Sequence, residues 1–181
     1  MTRQRQIIRL FIIGVATIGL AFGVRELYYF RSMQVSRVMA KVELPELIQN
    51  SPLIVKGTVE KSIGTARYSD PSGELVVGTR WQVTVNELLK GQAPDSIVVR
   101  TLGGRYGLTV MWMEDEVEFT DGETSILFLE PDPSGQDYRV VDMYQGHYRI
   151  QNDQVIQQES GETKLLSELE AMIKKPAESV N

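Results

Sequence analysis

A mainly β domain, built as a small barrel with a C-terminal amphipathic helix and preceded by one N-terminal transmembrane helix, is what this 181-residue chain predicts. Three observations carry that expectation. Ile7 to Val24 reads "IIRLFIIGVATIGLAFGV", with Arg9 as its one charge. Beyond Leu53, about eight runs of alternating apolar and polar residues are separated by turn signals. Near the end, Leu165, Leu166, Leu169, Met172 and Ile173 fall at helical spacing, with Glu168, Glu170 and Lys174 opposite. The expected segments are a basic tail (1–6), the anchor (7–24) and a juxtamembrane helical stalk with a short helix (25–50). The barrel (51–158), the C-terminal helix (159–176) and a tail (177–181) follow.

From Leu10 to Val24 the leader is uncharged, and Arg9 can carry its head to the interface. A spanning helix needs about 20 apolar residues. Running on to "LYYF" at 27–30 reaches that length and adds tyrosines suited to an interfacial belt. Gly19 and Gly23 have the spacing of a helix-packing face, although chance spacing is the simpler explanation at this glycine density. The rival is a cleaved signal peptide ending at Ala21-Phe22-Gly23, or at Val38-Met39-Ala40, which lies too far from the apolar core; the sequence favours an uncleaved, single-pass signal-anchor. Arg3, Arg5, Arg9 and the amino terminus face Arg25, Arg31 and Arg37 across it. That balance tips the N-terminus to the cytoplasm and the body outside it. Glu26 to Val42 lacks Pro and Gly and reads as a helical stalk, lying on lipid or against a partner's membrane helix.

Charge divides the chain. Residues 1–40 carry six arginines against Glu26, a net +5, and the remainder carries a net −10. An acidic body repels phosphate backbones, so no nucleic-acid partner is expected. The absence of cysteine excludes disulfides, thiolate metal sites and cysteine nucleophiles.

In the body, Pro45 opens a short helix, "PELIQN", with Leu47 and Ile48 on one side. "LIVKGTVEKSI" then alternates Leu53, Val55, Gly57 and Val59 against Lys56, Thr58 and Glu60; Gly57 marks a bend or a close backbone approach. Asp-Pro-Ser-Gly appears at 70–73 and again at 132–135, one turn solution used twice. Trp81, Val83 and Val85 alternate in a long strand. "ELLKG" (87–91) puts two leucines side by side before a glycine, which predicts a helical turn closed by Gly91, with Lys90 pointing to water. "TSILFLE" is near-continuously apolar and predicts a strand buried on both faces.

The strings "SPLIVKGTV", "WQVTVNELLKG", "SIVVRTLGG", "DGETSILFLEPD" and "YRVVDMYQGHYRI" resemble a family of exported bacterial domains without an assigned function. Their order and spacing over residues 51–150 are also similar to netrin and tissue-inhibitor-of-metalloproteinase domains. That resemblance implies an oligonucleotide/oligosaccharide-binding (OB) fold, a five-stranded barrel with added helices. It does not carry inhibition of metalloproteinases, which uses an N-terminal cysteine that this chain lacks.

Candidate chemistry is sparse. His147 is the single histidine, so a catalytic triad or a histidine metal site has little to work with; an exposed or partly buried structural residue is expected. Glu114, Asp115, Glu116, Glu118, Asp121 and Glu123 lack calcium-loop spacing and read as a solvated strand face. "GGRYG" (103–107) lacks a phosphate-loop pattern and reads as a turn. Tyr106, Leu108, Met111, Trp112 and Met113 cannot all face inward from one strand, so they are the candidate partner-binding patch. No catalytic residue, metal or cofactor is assigned. The expected function is a membrane-anchored, extracytoplasmic, non-enzymatic interaction domain, a scaffold or accessory subunit held in lipid and bound to a protein partner. A ligand-binding module for a peptide, glycan or divalent cation is the alternative, and a carboxylate-based hydrolase is the remaining enzyme reading.

Overall fold

The computed structural model describes residues 33–35, 40–69, 73–133, 137–158 and 160–175. The apolar run 7–24, Gly19 and Gly23 lie outside these residues, as do the tips of both Asp-Pro-Ser-Gly turns. Among the described residues no helix is long and apolar enough to cross a membrane.

The chain is mainly β with a C-terminal helix. Its strands are β1 (Met33–Val35), β2 (Leu53–Ser69), β3 (Leu75–Lys90), β4 (Ser96–Leu102), β5 (Gly104–Tyr106), β6 (Thr109–Met113), β7 (Thr124–Pro131), β8 (Tyr138–Val140), β9 (His147–Gln151), β10 (Gln154–Gln157) and β11 (Thr163–Leu165). Helix α1 (Leu44–Asn50) precedes β2, a 3-10 turn (Met143–Gly146) precedes β9, and α2 (Leu166–Lys174) ends the fold. The main sheet runs β11-β10-β9-β7-β2-β3-β4-β8, and β8 also pairs with β7. A smaller sheet runs β1-β6-β5. The β4–β8 link is one parallel bridge, Val99 to Tyr138. Backbone hydrogen bonding therefore does not close the expected barrel, because the strands part beyond that point.

Two apolar clusters lie on opposite faces of the main sheet. Leu53, Val55, Val83, Val99, Phe119, Leu127 and Leu129 belong to the first. Leu47, Ile54, Ile126, Phe128, Tyr148, Leu169 and Ile173 belong to the second, beneath the two helices. Successive strand residues point to opposite faces, so β7 feeds Leu127 and Leu129 to one core and Ile126 and Phe128 to the other. This is the doubly buried strand that its composition predicts. In α2, Leu166, Leu169 and Ile173 pack on the second core and Met172 is exposed; Leu165, expected in the helix, instead ends β11 and is exposed, so the helix begins at Leu166 rather than near residue 159.

The "ELLKG" expectation is corrected. Residues 87–90 continue β3, and the strand takes up the extra residues in register shifts against β2 near Ile54/Val55 and Lys56/Gly57. Successive strand residues point to opposite faces, so Leu89 is buried while Leu88 stays exposed. Gly91 does adopt the left-handed conformation, with φ 87°. Lys90 does not point to water: its Nζ donates to the Ile48 carbonyl at 2.5 Å and caps the end of α1, where a cation offsets unsatisfied carbonyls.

The stalk also differs from expectation. Met33–Val35 forms a strand parallel to β6 rather than part of a helix. Farther along, buried Gln145 grips the chain with both ends of its amide, accepting from Val42 N–H at 2.7 Å and donating to the Ala40 carbonyl at 3.1 Å.

Gly57 is the close approach its position predicts. A Cβ there would lie 2.7 Å from Val83 Cγ1 and 3.1 Å from the Thr84 carbonyl oxygen. Gly57→Ala should therefore destabilise the fold by about 1–3 kcal/mol, the usual cost of overpacking. Chemical denaturation measures it, and an unchanged midpoint would contradict the close packing at this crossing.

Candidate functional site

The predicted partner patch resolves into a hairpin. Gly107 turns at φ 60°, so "GRYGLTVMWM" is two strands, β5 and β6, rather than one. Met111 turns inward, 5% exposed, with its sulfur 3.4 Å from the Val77 amide. Trp112 is 66% exposed, and Tyr106 and Leu108 stand exposed beside the turn. Met113 is half-buried. The patch is thus Tyr106, Leu108 and Trp112, with Met111 as its root. "GGRYG" forms the entry to this hairpin, where Gly103 donates its N–H to the Val77 carbonyl at 2.8 Å. Thr65 Oγ1 donates to the Arg105 carbonyl, and the Arg67 guanidinium sits 5.1 Å from the centre of the Tyr106 ring. These contacts hold the hairpin on the far end of the β2–β3 ribbon.

His147 is a correction: it is fully buried. Its Nδ1 faces Gln158 Oε1 at 2.8 Å, and its Nε2 faces Glu123 Oε1 at 2.9 Å and Ser125 Oγ at 3.0 Å. Arg149 Nε donates to the other Glu123 oxygen at 3.0 Å. The serine and the carboxylate crowd the same ring nitrogen. An activated serine needs them on opposite nitrogens, so this cluster is a buried polar brace rather than a nucleophile. Burial works to raise the Glu123 carboxyl, but the His147 hydrogen bond and the charges of His147 and Arg149 outweigh it and hold the group below its usual range. Phe119 meets the His147 ring edge-on at 5.3 Å and continues the stack to Trp81.

The acidic run is likewise not one solvated strand face. Residues 117–120 form no strand; Glu118 and Asp121 are exposed, whereas Glu116 is 9% exposed and the Glu123 side chain is buried. Among the described residues, no group of three or more His, Cys, Asp or Glu side chains is placed to hold a metal.

Glu116 opens a site that sequence reasoning missed. A cavity of about 230 Å³ is lined by Arg100 and Leu102 of β4, Glu130 of β7, Arg139 and Val140 of β8, and Glu116, Asp142 and Met143 from the adjoining segments. It lies where β4 and β8 separate beyond the Val99–Tyr138 bridge. Arg100 is buried against Asp132, and its guanidinium stacks 4.1 Å over the Tyr68 ring. Arg139 Nε donates to Glu130 Oε1 at 2.8 Å. Burial pushes the Glu116 carboxyl up to about 7, against the pull of the Leu102 and Val117 amides and the charges of Arg100 and Arg139. Burial raises Asp142 too, helped by the charge of Glu46. Asp142 and Met143 both adopt left-handed backbone, φ 51° and 55°, at a cost of roughly 1–2 kcal/mol each for residues with a side chain. Strain of this kind clusters at functional positions. Adjacent acids in "EDEVEF" were the available signal, but nothing local says which of them turns inward.

Compared with known proteins, the chain matches no protein-family model and no curated sequence.

Two outcomes follow from these groups. Glu123→Ala leaves His147 and Arg149 without their carboxylate and should cost about 3–5 kcal/mol by denaturation. Because the native Glu123 value lies below the unfolded one, its stabilisation is complete above about pH 4.5 and disappears as the pH falls through the native value. Glu116 has the opposite sign. Between about 4.5 and 7 the native state holds a proton that the unfolded chain has released, so its contribution to stability falls as pH rises through that window. Glu116→Gln should therefore raise stability at pH 8 by up to roughly 3 kcal/mol, with no gain at pH 4. Parallel melting curves at both values check this, and equal shifts at the two would refute it.

Proposed function

We propose that this chain is a membrane-anchored, extracytoplasmic interaction domain with no catalytic centre of its own, acting as an accessory or scaffold subunit beside a protein partner. The observation that carries the reading is the pairing of β6, the strand bearing exposed Trp112, with Met33–Val35. Met33 follows Val24, the end of the apolar run, by nine residues, a reach of at most roughly 30 Å. An anchored leader would thus keep the Tyr106–Leu108–Trp112 surface close to the bilayer, within reach of membrane-borne proteins. Gln145 adds a second hold on the same connecting chain. The His147 cluster supports a non-enzymatic role, since its geometry braces the sheet and presents no nucleophile.

We read the body as OB-like. Antiparallel β2–β3, β3–β4, β7–β8 and β2–β7 pairings with a parallel β4–β8 bridge trace the route of a five-stranded, partly open Greek-key barrel. This agrees with the netrin-like resemblance of residues 51–150. The fold alone names no activity.

The test is photo-crosslinking in intact membranes. A crosslinking residue at Trp112 is expected to capture one discrete protein, whereas the same residue at exposed Lys61 captures none, and Leu108→Ser abolishes the product. The chain should need detergent for its release. Release by salt alone, or identical capture patterns at both positions, would overturn the reading.

A further inference from the structure

The cavity at the β4–β8 seam plays no part in the anchored-domain reading, and its chemistry is specific. Its volume of about 230 Å³ leaves room for a small organic ligand. Arg139 spends Nε on Glu130; among the described residues its two terminal amino groups have no acceptor. A guanidinium presents five N–H donors in a planar fork and favours carboxylates bidentately. Arg100, nine-tenths buried and held by Asp132 and Tyr68, adds fixed positive charge beside it.

Two carboxyl groups, Glu116 and Asp142, line the same cavity. Glu116 accepts the Val117 amide at 3.2 Å but forms no ion pair among the described residues. Asp142 forms none either, and its side chain does not cap the 3-10 turn that follows it. Leu102, Val140 and Met143 add apolar lining. The left-handed backbone at Asp142 and Met143 brings an acid and an apolar side chain to the cavity from adjacent positions.

We infer that this cavity binds a small zwitterion, a free aliphatic amino acid or its equivalent, with Arg139 taking the carboxylate and Glu116 and Asp142 taking the ammonium. A phosphate-bearing ligand would meet three carboxyl groups, Glu116, Glu130 and Asp142. A simple anion would leave the acids unmatched, and a simple cation would leave the free face of Arg139 unmatched. The inference does not depend on the membrane anchor or on the Trp112 surface.

The experiment is calorimetric titration of the detergent-solubilised full chain at pH 7 with three probes: L-leucine, 3-methylbutylamine, which lacks the carboxylate, and N-acetyl-L-leucine, which lacks the ammonium. Leucine should bind saturably, and each of the others at least about tenfold more weakly. Glu116→Gln and Arg139→Gln should each weaken leucine by about tenfold or more, corresponding to roughly 1.4 kcal/mol. Both variants should keep their melting transition, since Glu116→Gln removes a charge that burial disfavours and Arg139 is half-exposed. No heat with leucine at millimolar concentration would overturn the proposal, as would equal binding of the amine or unchanged affinity in both variants.

Discussion

The fold depends on β2 being paired along both edges while it bends. Its first half lies between β3 and β7, with Val55 facing Leu88 on one side and Leu127 on the other. Four register irregularities against β3 let it curve, and bulges of this kind tighten the local twist. Curvature and double pairing together let one strand supply both cores, Leu53 and Val55 to one and Ile54 to the other. Gly57 lies among those bends, where a side chain would collide with Val83. The wall of the first core and the platform for both helices are consequences of that one path.

Curvature brings β4 round to β8, and there backbone pairing stops after one bridge. Side chains continue the seam. Arg80 forms a bidentate pair with Asp137 at 2.7 Å and Arg100 pairs with buried Asp132, while Arg139 and Glu130 pair within the β7–β8 hairpin. Such pairs hold a geometry without filling the space between strands. Ion pairs that are partly buried constrain direction more than they add net stability. The cavity is the volume left where hydrogen-bonded sheet gives way to charged side chains.

What was legible in the sequence is what period and turn chemistry report. The doubly apolar β7, the close approach at Gly57, the left-handed Gly91 and the α2 stripe all follow from spacing alone. Adjacent Leu88 and Leu89 misled, because a β-bulge and a helical turn place the same demand on the local pattern. His147 and Glu123 were obscured for another reason. They become partners through the β7–β9 pairing, which sets Ser125 opposite Arg149, and that register is a property of the assembled sheet. A quieter signal was present: Ser125 shares a strand face with Leu127 and Leu129, and a polar residue at an inward position asks for a buried partner. The cavity left less trace still, since its residues come from β4, β7, β8 and two loops.

The turn from Asp142 to Gly146 links the parts of the molecule that the sequence treats as separate. Its left-handed start places Asp142 and Met143 at the cavity. Two residues later, Gln145 holds Ala40 and Val42 of the connecting chain, and Gln157 of β10 donates to the Gln145 carbonyl at 3.0 Å. Gly146 follows, with the Val141 carbonyl 2.4 Å from where a Cβ would stand. Tight packing at Gly146 and the hydrogen bonds of Gln145 hold the path of this turn from both sides, and left-handed backbone at Asp142 and Met143, which glycine adopts more easily, is part of that path.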